Sequence, residues 1–144
     1  MAINQFNARI GHAARILLGL VYFVFGLNFF LHFIPTPPPD PESGAGKFLG
    51  ALFASGYFFV VLKIIESIFG LLLILNIFAP ILLILIFPVT LNILLFHIFL
   101  EPLPSALGIS FLLLVLNTYL IWVNRVLYSP LFKVRSKQVE EPAA

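Results

Sequence analysis

The sequence contains 34 consecutive residues without a formal charge, at positions 67–100. A bilayer has a hydrocarbon core about 30 Å thick, and a helix needs about 20 apolar residues to cross it. The stretch is therefore too long for a single crossing. It has a natural break at residues 76–80, because a proline such as Pro80 suits the first turn of a new helix. The sequence predicts two spans here, over residues 57–76 and 80–100.

Two further apolar segments flank this stretch. Residues 16–34 are 19 uncharged residues that end at a proline-rich run, and proline cannot continue a helix. We expect the first span over residues 13–34 and the fourth over residues 105–123. The predicted fold class is all-α: a transmembrane four-helix bundle that forms a single domain over residues 1–135. A flexible cytoplasmic tail is predicted over residues 136–144.

Composition excludes the other broad classes of protein. The chain is 61% hydrophobic and 10% charged, whereas a soluble domain carries about 25% charged residues. It contains no cysteine, which removes disulfides and thiolate metal sites, and we find no spacing typical of another metal site. A net charge of +2 is too small to indicate a surface that binds nucleic acid. The predicted partner is the lipid bilayer, and a homo-oligomer is an open alternative.

The distribution of lysine and arginine predicts the orientation. Six of the eight basic residues lie before the first span or after the fourth: Arg9, Arg15, Arg125, Lys133, Arg135 and Lys137. Cytoplasmic segments of membrane proteins are enriched in these residues. Both termini are therefore predicted to be cytoplasmic, with the proline-rich loop and the turn at Glu101 outside.

The second half of the first loop, residues 46–55, has a pattern of its own. Gly46, Gly50 and Ala54 recur at a spacing of four among large apolar residues. This pattern is typical of a short helix at the outer membrane interface. An outward extension of the second span explains it equally well, so both readings stay open.

Polar residues within the spans are informative because ionisable groups at membrane depth are costly and usually face the bundle interior. Lys63 and Glu66 lie three residues apart on one helical face. The pair either neutralises itself or provides a functional carboxylate, with Glu66 and His97 as candidate catalytic groups. Under the predicted topology, seven residues lie between mid-membrane and the outer surface. We expect them to line a polar pocket that opens outward: Asn28, His32, Lys63, Glu66, Asn92, His97 and Glu101.

Two further stripes favour structural roles. Arg15, Gly19, Tyr22 and Gly26 lie along one face of the first span, where the glycines allow a close approach by another helix. Ser110, Asn117 and Asn124 recur every seven residues in the fourth span, which favours interhelical hydrogen bonds.

Several segments of the chain together resemble the DoxX family of small membrane proteins, over roughly residues 12–123. The resemblance rests on their order and spacing: residues 14–20, 25–28, 56–58, 63–66, 70–73 and 88–97. It implies a four-helix bundle in a bacterial cytoplasmic membrane. Members include a subunit of a thiosulfate:quinone oxidoreductase and proteins of oxidative-stress complexes, and distant eukaryotic relatives resemble assembly factors. Related folds use cysteine pairs, which this chain lacks, so that chemistry does not carry over.

Three functions follow as hypotheses. The first is a membrane subunit of a redox or oxidative-stress complex that contacts quinone, with Glu66 as proton acceptor and His97 and Asn92 positioning the ring. Such a chain would be an oxidoreductase subunit at most, since no catalytic signature is present. The second is a scaffold or assembly factor that docks a partner through residues 46–55. The third is transport of a small solute or proton, although the inverted repeat typical of transporters is not visible.

Overall fold

A computed structural model describes residues 2–132 of the chain. These residues form the following helices: α1 (Ala2–Leu31), α2 (Gly44–Ala54), α3 (Phe58–Leu75), α4 (Ala79–Phe99), α5 (Pro104–Val123) and the short α6 (Arg125–Tyr128), which a 3₁₀ turn follows at Ser129–Phe132. Four helices, α1, α3, α4 and α5, are long and apolar enough to cross a membrane. The predicted all-α fold class is confirmed, whereas the predicted tail at residues 136–144 lies outside the described residues.

The ends of the spanning helices follow from local backbone chemistry. α1 stops at Leu31 rather than at residue 34 because His32 adopts a left-handed conformation, with φ of 52°. Such a residue commonly closes a helix, and Pro35 also biases the residue before it away from helical geometry. The predicted break between the second and third spans is confirmed. Asn76 is left-handed at the end of α3, and Pro80 lies in the first turn of α4.

The spanning helices form a ring in which α1 packs against α3 and α4 packs against α5. Contacts between α1 and α5 and between α3 and α4 close the ring. We call the end with residues 32–57 and 100–103 the loop end. The opposite end, with the start of the chain, the turn between α3 and α4, and α6, is called the terminal end. An apolar core in the half of the ring nearer the terminal end contains side chains with no exposed surface: Leu18, Leu73, Leu83 and Ile86.

Small residues bring α1 and α3 unusually close together. A Cβ atom added at Gly19 would lie 2.8 Å from the carbonyl oxygen of Gly70, and one added at Gly26 would overlap Ser67. Glycine permits this because it has no side chain to hold the backbones apart. The prediction that the glycine face of the first span admits a close neighbour is confirmed.

The segment predicted over residues 46–55 forms a separate helix, α2, and does not extend α3. Ser43 caps its start by accepting a hydrogen bond of 3.0 Å from the amide of Gly46. Gly56, with φ of 76°, turns the chain between α2 and α3, which explains why the two helices are not continuous. Aromatic contacts hold α2 on the bundle: Phe48 lies 5.8 Å from Phe96, and Phe53 lies 4.5 Å from Phe59, between ring centroids.

Candidate ligand-binding cavity

A cavity of about 400 Å³ opens at the loop end of the bundle. All four spanning helices contribute to its wall, and α2 covers one side with Phe48, Leu49 and Leu52. The wall is largely aliphatic and aromatic, with a small number of polar groups. Ligand-binding pockets are typically about 300–1,000 Å³ with this kind of lining. The cavity is therefore suited to a small, mainly apolar molecule with one polar end.

An ion pair on α3 supplies the charges in this wall. Lys63 Nζ lies 2.7 Å from Glu66 Oε2, and the side chains of Lys63 and Glu66 are 19% and 4% exposed. The Lys63 ammonium also lies 5.3 Å from the centre of the Phe59 ring, whose face attracts a cation. The two charges thus compensate each other while both groups border the cavity. Of the two sequence interpretations, pairing is confirmed, and pairing does not exclude a role for Glu66 toward a ligand.

α4 adds two polar residues to the wall, Asn92 and His97. Asn92 is exposed, whereas the His97 side chain is 19% exposed. His97 Nδ1 lies 3.6 Å from Glu101 Oε2, which is longer than a hydrogen bond, and it has no hydrogen-bond partner among the described residues. Glu101 itself does not line the cavity.

A buried hydroxyl network lies beside the cavity and joins three helices. Tyr22 Oη lies 2.6 Å from Thr90 Oγ1, which also accepts a 2.8 Å hydrogen bond from Asn117 Nδ2. Thr90 in turn donates to the carbonyl of Ile86 at 3.0 Å. Its single proton is then used, so Tyr22 donates to Thr90 and keeps its oxygen lone pairs as acceptors. Because Tyr22 lines the cavity, this network fixes the position of one side chain of the wall.

The structure brings together four of the seven residues predicted to form a polar pocket: Lys63, Glu66, Asn92 and His97. The remaining three do not line the cavity, for local reasons. Asn28 binds the backbone of Ile34 through both side-chain atoms, at 3.0 and 2.6 Å, and so fixes the loop after α1. His32 is exposed at the end of α1, and Glu101 follows the end of α4. The cavity is also more apolar than predicted.

Sequence reasoning missed Tyr22 and the wall formed by α2. Tyrosine is enriched at membrane–water interfaces, so a tyrosine near the middle of an apolar span was a signal that could have been used. Ser110 lines the cavity too, but its hydroxyl donates to Ala106 within α5 and not across helices. In the predicted stripe of α5, only Asn117 makes an interhelical hydrogen bond, since Asn124 also bonds within its own helix.

Comparison with known proteins gives no match to a family model, to a curated protein or to a solved structure. The resemblance to the DoxX family consequently rests on the residues that carry it. The independent support for a function is structural: four membrane-length helices form a bundle with a cavity at one end.

Proposed function

We propose that the chain is a DoxX-type membrane subunit of a redox or oxidative-stress complex and that its loop-end cavity binds the ring of a quinone. The proposal places it in a bacterial cytoplasmic membrane with both termini in the cytoplasm. One observation carries the ligand assignment: an apolar cavity of about 400 Å³ with a buried ion pair in its wall. A quinone ring is apolar on its faces and polar only at its two oxygens, which matches this distribution.

The polar groups of the wall match both redox states of such a ring. A quinone carbonyl accepts hydrogen bonds, which Lys63 and the Asn92 amide can donate. A quinol hydroxyl donates, and the Glu66 carboxylate and the Tyr22 oxygen can accept. Reduction of the quinone takes up two electrons, supplied by a partner protein of the complex, and two protons. When a quinol is reoxidised, the partner protein takes up the two electrons, Glu66 is the proposed acceptor of the first proton, and the second proton passes to water at the loop end.

Replacing Glu66 with glutamine should weaken quinol binding about tenfold and leave quinone binding nearly unchanged. The amide keeps the shape of the side chain, but it loses the charge that strengthens a hydrogen bond from the quinol hydroxyl, a difference of about 1.4 kcal/mol. Affinities for a short-chain quinone and its quinol can be measured by equilibrium dialysis on the protein in detergent.

The matched control is Glu101→Gln. This substitution makes the same chemical change at the loop end but outside the cavity wall. It should leave both affinities within a factor of two. Equal losses of quinol affinity in the two variants would show a general effect of charge at the loop end. Unchanged quinol affinity in Glu66→Gln would show that Glu66 does not contact the ligand.

A scaffold function is the second candidate, and the free surface of α2 favours it. A Cβ atom at Gly50 would meet nothing within 4 Å, and Ala54 is exposed. Gly46, in contrast, packs against the backbone of Asp40 in its own loop, so it does not belong to this surface. A docking partner would therefore contact Gly50 and Ala54 and not the whole predicted stripe.

Replacing Gly50 with leucine tests the scaffold. The added side chain has room in the isolated protein, so the fold should be retained while a partner docked closely on α2 is displaced. Partners that co-purify with the wild type should fall at least tenfold in quantitative mass spectrometry of mildly solubilised membranes. Glu66→Gln should retain them. Retention by both variants would exclude this surface of α2 as the docking site.

A further inference from the structure

A second cavity, of about 410 Å³, lies at the terminal end of the bundle. The start of α1, the turn between α3 and α4, and the end of α5 form its wall. This wall is richer in polar groups than that of the loop-end cavity, and the quinone proposal does not use it. Its polar residues are His12, Arg15, Asn76 and Asn124.

Arg15 is the central residue of this cavity, and it is only 6% exposed. Its Nη1 atom donates to the carbonyl oxygens of Leu73 and, at 3.0 Å, of Ile74, at the end of α3. Its Nη2 atom lies 3.2 Å from His12 Nδ1, which must act as the acceptor because a guanidinium can only donate. A guanidinium has five N–H donors, so two remain without a partner among the described residues.

The charge of Arg15 is only partly compensated. The end of a helix carries about half a negative charge, which leaves about half of the guanidinium charge unbalanced. None of the described residues that line this cavity is acidic, and the ion pairs in the same part of the chain all lie elsewhere: Lys47–Glu42, Lys63–Glu66 and His97–Glu101. A buried charge is costly unless it is paired, so an anion bound here would stabilise the folded protein.

The cavity gives a ligand access to this charge. It is lined from the exposed Ala8 to Arg15, two helical turns further on. Seven residues of helix correspond to about 10 Å. A small anion, or the phosphate group of a lipid at the terminal end, therefore has a short path to the guanidinium.

We propose that the terminal-end cavity binds a phosphate group, which pairs with the two remaining donors of Arg15. Arginine matches phosphate through its planar array of N–H groups, and the Asn76 and Asn124 amides offer neutral hydrogen bonds beside it. The phosphate is either that of a lipid headgroup or a free phosphate ion, since the recognition chemistry is the same. The site shares no lining residue with the loop-end cavity, so failure of one proposal does not affect the other.

The test uses Gly11, which lines this cavity and at which an added Cβ atom would meet nothing within 4 Å. Gly11→Asp places a carboxylate in the cavity without touching the contacts of Arg15 with α3, and Gly11→Ala is the neutral control. The thermal midpoint of the protein in uncharged detergent is titrated with inorganic phosphate, with dihexanoyl phosphatidylglycerol, and with sodium chloride at matched ionic strength.

The expected result is a saturable rise in midpoint for the wild type and for Gly11→Ala, with an apparent affinity at least tenfold lower in Gly11→Asp. A rise with inorganic phosphate identifies a free-anion site, and a rise with the lipid alone identifies a headgroup site. Equal curves for phosphate, lipid and chloride, or equal affinities in the aspartate and alanine variants, would overturn the proposal.

Discussion

Replacing Lys63 with methionine is expected to lower the free energy of unfolding by about 3–5 kcal/mol, because it leaves a buried carboxylate without its counter-ion. Glu66 is 4% exposed, and its Oε2 atom lies 2.7 Å from the ammonium that would be lost. Methionine keeps most of the apolar stem, so the change reports on charge more than on packing. Unfolding in mixed neutral and anionic micelles provides the measurement.

The double variant Lys63→Met, Glu66→Gln distinguishes pairing from a simple loss of lysine. Removing the second charge should recover at least half of the lost stability, because the buried charge is then gone as well. If the two substitutions add without recovery, the ion pair does not stabilise the bundle, and the close approach of Lys63 and Glu66 has no energetic role.

Replacing Gly70 with alanine is expected to destabilise the protein by about 2–3 kcal/mol, the upper range for overpacking a tight interface. The new Cβ atom would overlap the backbone amide of Phe23 and lie 2.7 Å from the carbonyl oxygen of Gly19. Both neighbours are backbone atoms and cannot rotate away. α1 and α3 would therefore have to move apart along their whole contact.

Gly108→Ala in α5 is the control for this substitution, because a Cβ atom there would meet nothing within 4 Å. It should be neutral or stabilise by up to about 1 kcal/mol, the usual preference of alanine over glycine in a helix. Similar effects of the two alanine substitutions on the unfolding midpoint would contradict the close packing of α1 on α3.

The fold could be predicted because hydrophobicity and proline position act locally. Apolar stretches of membrane length gave the four spans, and the break at Pro80 appears where expected. The predicted end of the first span at residue 34 was wrong by three residues. His32 adopts a left-handed conformation there, which could not be predicted from its residue type. Whether residues 46–55 formed a separate helix depended on a single backbone angle at Gly56.

The candidate site was predicted less completely, since depth in the membrane does not determine direction. Four of the residues predicted at the same depth also line the same cavity: Lys63, Glu66, Asn92 and His97. Asn28 shares the depth but turns toward the loop, where it binds Ile34. Tyr22 was interpreted as part of a packing face, and its hydrogen bond to Thr90, 68 residues later, could not be inferred from spacing within one helix.

The contact of Arg15 with the end of α3 also affects how the chain is made. The two carbonyl groups that accept from Arg15 belong to residues 58 and 59 positions later in the chain. At synthesis rates of about 5–20 residues per second, they leave the ribosome about 3–12 s after it. Until α3 is made, the guanidinium has only His12 among the three acceptors that it contacts in the folded bundle. The buried environment of Arg15 is therefore completed only after α3 has been made, which makes the terminal-end contact between α1 and α3 a late event in biogenesis.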